Sequence, residues 1–217
     1  MGIETNKDLK KAFSLFINSS EQGHLLAQYY VGSYYQYGNG ITKNGKLAFE
    51  YYEKIANKDY AIGQFKLGYF YANGMGVKQD SKMAAHWFEK ATNNGDIVAM
   101  HNLGLAYKNG NGVDKNYGKA FELFKKSAEG EYSNGIAMLG YCYYNGIGIN
   151  IDKQKAVELY QKAANLGDKI AQYNLGVSYD DGDGIEKDID KAIYWYEQSA
   201  KQGYQDAQNQ LEKLKKT

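Results

Sequence analysis

Ala171-Gln-Tyr-Asn-Leu-Gly-Val-Ser-Tyr179, followed by Gly182-Asp-Gly-Ile185 and Lys191-Ala-Ile-Tyr-Trp-Tyr196, is the stretch on which the fold turns. Gly176 within it has counterparts at Gly32, Gly68, Gly104 and Gly140, each 36 residues apart. The Gly-x-Gly pair recurs at the same step, as Gly38/Gly40, Gly74/Gly76, Gly110/Gly112, Gly146/Gly148 and Gly182/Gly184, each followed by Ile41, Val77, Val113, Ile149 or Ile185. An alanine column, Ala12, Ala48, Ala84, Ala120, Ala156 and Ala192, keeps the same register. No insertion or deletion interrupts it from Ala12 to Leu211, so the chain is a solenoid-type repeat array.

Within one period the apolar spacing is helical. Ala27, Val31 and Tyr35 fall at i, i+4 and i+8, and the triplet returns as Gly63, Leu67, Tyr71 and Ala99, Leu103, Tyr107. Ala48, Tyr52, Ile55 and Ala56 give a second helical face. Each half is about 14 residues, or about 21 Å of helix. This predicts a helix A over 24–37 and a helix B over 45–58, repeated every 36 residues. The Gly-x-Gly ends helix A, its first glycine suiting a left-handed cap and its second a tight turn. A B helix, five A–B pairs at about 24–203 and a final A helix follow, some 12 helices in a single array spanning 1–217.

A glycine in mid-helix costs about 1 kcal/mol relative to alanine. The Gly32 column is therefore expected where a side chain would collide with a neighbouring helix. Bulk is expected from two aromatic columns, Tyr35, Tyr71, Tyr107, Tyr143, Tyr179 in A and Phe16, Tyr52, Phe88, Phe124, Tyr160, Tyr196 in B.

These blocks resemble the Sel-1-like repeat family, a branch of the tetratricopeptide-like α-solenoids, over nearly the whole chain. The resemblance implies an all-α fold, a right-handed α-α superhelix of 36-residue helix-turn-helix repeats with A helices lining the concave side. It also implies adaptor and scaffold roles, in some relatives beside protein kinase domains. One departure concerns the glycine that closes helix B, present as Gly23, Gly95, Gly167 and Gly203 but replaced by Asp59 and Glu131. Aspartate tolerates the left-handed conformation, whereas Glu131 is expected to yield the cap to Gly130.

Composition narrows the function classes. The 217 residues hold 26 basic and 25 acidic side chains, a net charge of +1, and every basic residue is lysine. Near-neutrality removes the electrostatic footprint of a nucleic-acid binder. Absent arginine removes the fork that phosphate and guanine recognition usually employ. One cysteine, Cys142, excludes an intrachain disulfide framework and a cysteine zinc site. It shares a column with Tyr34, Phe70 and Ala106 and reads as a buried thiol. No segment is apolar enough to insert in a membrane, the Met1–Lys11 stretch is no secretory signal, and Asn6 breaks the myristoylation pattern after Gly2. Cytoplasmic residence follows as the expectation.

The search for chemistry yields no catalytic residue, metal site or cofactor. His24, His86 and His101 sit on three different helices without metal-ligand spacing. Gly40-Ile-Thr-Lys-Asn-Gly45-Lys46-Leu47 approaches a phosphate loop, but Leu47 stands where a magnesium-holding hydroxyl is required, and a helix precedes it. Asp180-Asp-Gly-Asp-Gly184 has the composition of a calcium loop, broken by Ile185 and Glu186. The Lys213, Lys215, Lys216 cluster reads as a solvated cap.

The A-helix surface is more informative. With Ala27, Val31 and Tyr35 taken as buried, offsets 29, 33 and 36 fall opposite, where plain solvent contact would leave polar residues. That face instead carries Tyr29, Phe65, Tyr69, His101, Leu105, Tyr141, Tyr144, Tyr173 and Val177, the candidate partner-binding residues. For the column Tyr29, Phe65, His101, Ala137, Tyr173, packing between neighbouring A helices is the competing reading. The column Ser33, Tyr69, Leu105, Tyr141, Val177 varies between repeats, as a recognition surface would. The expected function is a non-enzymatic scaffold or adaptor holding a peptide or partner protein in the concave groove. Two alternatives stand beside it: a regulatory segment of a larger signalling protein, for example kinase-linked, and a module that self-associates into a homo-oligomer.

Overall fold

The structure is a computed structural model describing residues 2–214, with side chains from residue 8 onward. Among these residues every regular element is an α-helix. The chain forms two compact units divided between Asp114 and Lys115. The first holds α1 (Gly2–Glu21), α2 (Leu25–Tyr37), α3 (Gly45–Ala56), α4 (Ala61–Asn73), α5 (Ser81–Asn93) and α6 (Ile97–Asn109). The second holds α7 (Tyr117–Glu129), α8 (Ser133–Asn145), α9 (Lys153–Asn165), α10 (Lys169–Asp181), α11 (Ile189–Lys201) and α12 (Gln205–Leu214). From α2 to α11 the expected boundaries of helices A and B are met within two residues, whereas α1 starts well before the position its register predicts. Lys215, Lys216 and Met1 lie outside the described residues.

The A–B turn is built identically each time. Gly38, Gly74, Gly110, Gly146 and Gly182 all close their A helix in the left-handed conformation, donating back to the carbonyl four residues earlier. Each B helix then begins at Asn44, Asp80, Asn116, Asp152 or Asp188, whose side chain accepts a backbone N–H of the first turn. Such a cap is worth about 1 kcal/mol. The second glycine of each turn answers a different demand. A Cβ on Gly76 would run into the backbone of Gly45, and one on Gly184 into that of Lys153, the first residues of the preceding B helices.

The Gly32 column does what the energetic argument requires. A Cβ on Gly32 would lie 2.8 Å from Tyr52, on Gly68 2.5 Å from Phe88, on Gly140 2.9 Å from Tyr160 and on Gly176 2.7 Å from Tyr196. Helices α2, α4, α8 and α10 are thus each notched to receive an aromatic ring of the B helix that follows. The B aromatic column is buried, Phe16 alone standing half-exposed at the edge. The A column is different. Only Tyr179 is buried, and Tyr35, Tyr71, Tyr107 and Tyr143 are half-exposed. The next column inward, Tyr34, Phe70, Ala106, Cys142 and Ser178, takes the interior place.

Glu131 corrects an expectation. It adopts the left-handed conformation itself, φ 59°, matching Asp59 at 60°, while Gly130 stays at φ −78°. The cap position is fixed by helix length and register, which outweigh the roughly 1 kcal/mol that a Cβ costs there.

Candidate functional site

Taking the notch glycine as the inward direction orients each A helix. At about 100° per residue, positions 30, 37, 26 and 33 lie about 160°, 140°, 120° and 100° from Gly32, whereas 29 and 36 lie only about 60° and 40° away. Exposure divides the same way, outward positions exposed and inward ones covered. In α2, Leu26 is 67% and Tyr37 61% exposed, and Tyr30 is exposed too, while Gln36 is buried. In α4 the same stripe is Ile62, Lys66, Tyr69 and Asn73, and in α6 Val98, Asn102, Leu105 and Asn109. In the second unit it is Asn134, Met138, Tyr141, Asn145 on α8 and Ile170, Asn174, Val177, Asp181 on α10.

The candidate residues therefore separate into groups. Tyr69, Leu105, Tyr141 and Val177 lie on the stripe, Tyr69 38% exposed and the others less so. Tyr29, Phe65 and Tyr173 are half-buried beneath it, their ring centroids 5.9, 6.1 and 5.7 Å from those of Tyr52, Phe88 and Tyr196. They pack on the B aromatic column. His101 is buried, 8% exposed, and burial lowers its pKa to about 4. It is therefore no surface anchor. Tyr144 is engaged elsewhere: its hydroxyl donates to Asp183 Oδ2 at 2.6 Å, and Lys153 Nζ meets the same oxygen at 2.7 Å. Burial, with that bond added, pushes the Tyr144 phenol up to about 12.

The stripe is indented between successive A helices. In the first unit a cleft of about 270 Å³ is bordered by Ala72, Phe88, Asn102, Leu105 and Asn109, with Gln79 and Ser81 at its end. In the second a smaller one, about 110 Å³, is bordered by Tyr141, Tyr144, Asn145, Tyr160, Asn174 and Val177. Both have a B-column ring as floor and an asparagine at the position of Lys66. The first is larger because Ala72 stands where the second has Tyr144. Among the described residues, no three His, Cys, Asp or Glu gather as a metal site. No described helix is long and apolar enough to cross a membrane.

Leu26, Tyr30, Tyr37, Ile62, Lys66 and Ile170 escaped the sequence reading. Counting Tyr35 in the buried arc with Ala27 and Val31 centred that arc on Val31 and rotated the inferred face toward offsets 29 and 36. The signal that locates them was present in the glycine column.

The Sel1 repeat model matches residues 1–24, 25–60, 61–96, 97–132, 133–168 and 169–204. Two solved structures are similar to the chain over 94% of its length. A Sel1 repeat protein from Oxalobacter formigenes is 33% identical, with a TM-score of 0.88 and 82% of that protein covered. The protein c5321, described as a protective antigen in uropathogenic Escherichia coli strains displaying an SLR fold, is 34% identical with a TM-score of 0.82. The chain spans 44% of the c5321 structure. The immunity protein Pa5087 from Pseudomonas aeruginosa shares the fold at 21% identity and a TM-score of 0.60, over 88% of this chain and 73% of that one. A search of curated proteins finds no match.

Proposed function

The chain belongs to the Sel1 repeat family, and from that premise we propose that it is a protein-interaction scaffold, not an enzyme, binding a peptide or partner protein along its A-helix stripe. The observation that carries this is the concentration of exposed apolar and aromatic side chains on α2 and α4: Leu26, Tyr30, Tyr37, Ile62 and Tyr69. Isolated exposed apolar residues are ordinary, but a cluster confined to one face of repeated helices marks an interaction surface. Tyrosine supplies contact area and a hydroxyl at small entropic cost. The unbroken 36-residue register supports treating residues 1–217 as one array. An adaptor role in signalling and cytoplasmic residence belong to the same proposal.

A pull-down with wild-type and Tyr69→Ala/Tyr141→Ala bait, identified by mass spectrometry, tests it. A partner retained by wild type and lost by the variant, at unchanged helicity, is the expected result. Equal retention by both refutes the stripe as the binding surface. The coverage of only 44% of c5321 favours a second reading, a repeat segment of a larger protein. Self-association through the stripe would appear as a dimer in sedimentation that Tyr69→Ala dissociates.

A further inference from the structure

Among the described lysines only Lys66, Lys108 and Lys153 are half-buried, the others being exposed. Lys153 is paired with Asp183. Lys66 is half-buried on the stripe, and its ammonium faces rings: Nζ lies 5.8 Å from the centroid of Tyr29 and 5.6 Å from that of Tyr52. Those distances are near the limit at which a ring attracts a cation, so the attraction is weak. An ammonium has three N–H donors, and no described carboxylate lies within ion-pair distance of this one. Burial lowers its pKa, with no acid to offset it. The Tyr37 phenol adjoins this group, close enough to add to the raised pKa values that burial gives Tyr29 and Tyr52.

The surrounding charge is equally one-sided. Helices α2, α4 and α6 contain no Asp or Glu at all, while Glu50, Glu53 and Glu89 lie on the B helices α3 and α5. The first unit therefore presents a stripe of aromatic, aliphatic and amide side chains around a desolvated cation lacking a counter-ion. Apolar residues flank that cation on both sides, Leu26 and Tyr30 on α2 and Ile62 and Tyr69 on α4. A carboxylate inside a segment, with apolar neighbours, fits this setting better than a chain end.

We propose that Lys66 is the anion subsite of the stripe, receiving the side-chain carboxylate of an Asp or Glu that the partner carries between apolar residues. The inference rests on the binding role proposed for the stripe and adds the chemistry of its partner. The carboxylate accepts from Nζ, and the partner's apolar residues cover Tyr30, Tyr37 and Tyr69. Asn102 and Asn174, at the equivalent positions of later repeats, offer amides for backbone groups and set no charge requirement.

The probe is a phage-displayed library of random dodecapeptides selected on the wild-type protein, with the best sequence then synthesised for titration. The expected enrichment is for one Asp or Glu among apolar residues. Lys66→Met, which keeps the apolar stem, is expected to weaken that peptide by about tenfold or more. Replacing the peptide's carboxylate by its amide should cost the same factor on wild type and nothing further on Lys66→Met. The Lys66 ¹³Cε resonance of wild-type protein should also move on adding the peptide, a readout needing no variant. Enriched peptides without acid preference, equal affinity for Lys66→Met, or an unmoved resonance overturn the Lys66 subsite and leave the interaction role standing. No enrichment on wild type overturns both.

Discussion

Lys58→Asn is expected to stabilise the first unit, and the reason lies in a hydrogen bond that two of the other repeats make. In the second full repeat, Asn94 Nδ2 donates to Gln64 Oε1 at 2.9 Å and to the Asp59 carbonyl at 3.0 Å. In the fifth, Gln202 Nε2 donates to Gln172 Oε1 at 2.9 Å and to the Gly167 carbonyl at 3.0 Å. One amide thereby ties two successive B–A turns together. The register-equivalent pair in the first full repeat is Gln28 and Lys58. Gln28 Nε2 donates to the Ser20 carbonyl at 3.3 Å, but its buried Oε1 receives nothing. Lys58 is exposed, and its ammonium makes no bond to that oxygen. An orphaned buried acceptor costs about 1–3 kcal/mol, and a typical bond returns about 1 kcal/mol net. Asparagine at 58 is placed to donate to Gln28 and to the Gly23 carbonyl, so a gain of about 1–2 kcal/mol is expected. Urea unfolding of Lys58→Asn against Lys58→Ala isolates the donor from mere removal of the lysine. Adding Gln28→Met to both should erase the difference, since the acceptor is then gone. A Lys58→Asn midpoint no higher than that of Lys58→Ala would refute the reasoning.

Three other outcomes follow from the geometry. Gly68→Ala should destabilise by about 2 kcal/mol because its methyl meets the Phe88 ring, whereas Gly118→Ala on α7, with only Asn116 Oδ1 nearby, should gain about 0.5 kcal/mol in urea unfolding. Glu131→Gly should stabilise by about 0.5–1 kcal/mol by relieving the left-handed strain, since the lost Lys162 contact at 3.6 Å is exposed and weak. His101, whose folded pKa is depressed to about 4, should contribute stability that is present above about pH 6.5 and lost as the pH falls toward 4, on the order of 3 kcal/mol. Its imidazole resonances should titrate near 4 by NMR, and His101→Gln should flatten the acid limb of the unfolding midpoint against pH.

The helices and turns were legible because their determinants are local and repeat. Gly176 and its counterparts mark the close contact, and the double glycines mark every A-helix end. The B-helix caps were equally periodic, at Asn44, Asp80, Asn116, Asp152 and Asp188, yet the sequence reading passed over them. The surface was harder. Tyr29 and Tyr30 are adjacent and chemically identical, and only the helix rotation decides that one packs on Tyr52 while the other is exposed. Tyr144 reads as an anchor until the turn of the next repeat supplies Asp183 to its hydroxyl. Such long-range assignments depend on neighbours that no single period contains. Glu131 shows the converse, a local preference overruled by register.

From the second turn onward the second glycine rests first against main chain, Gly76 on Gly45, Gly112 on Ser81, Gly148 on Tyr117 and Gly184 on Lys153. A junction made this way is indifferent to which residues its neighbours carry elsewhere. If a stretch of 36 residues were duplicated or excised in the gene, the new junction would meet the same backbone surfaces as the old. The array can therefore lengthen or shorten by whole periods while its recognition stripe is rewritten residue by residue, so lineage variation in reach and in specificity need not compete.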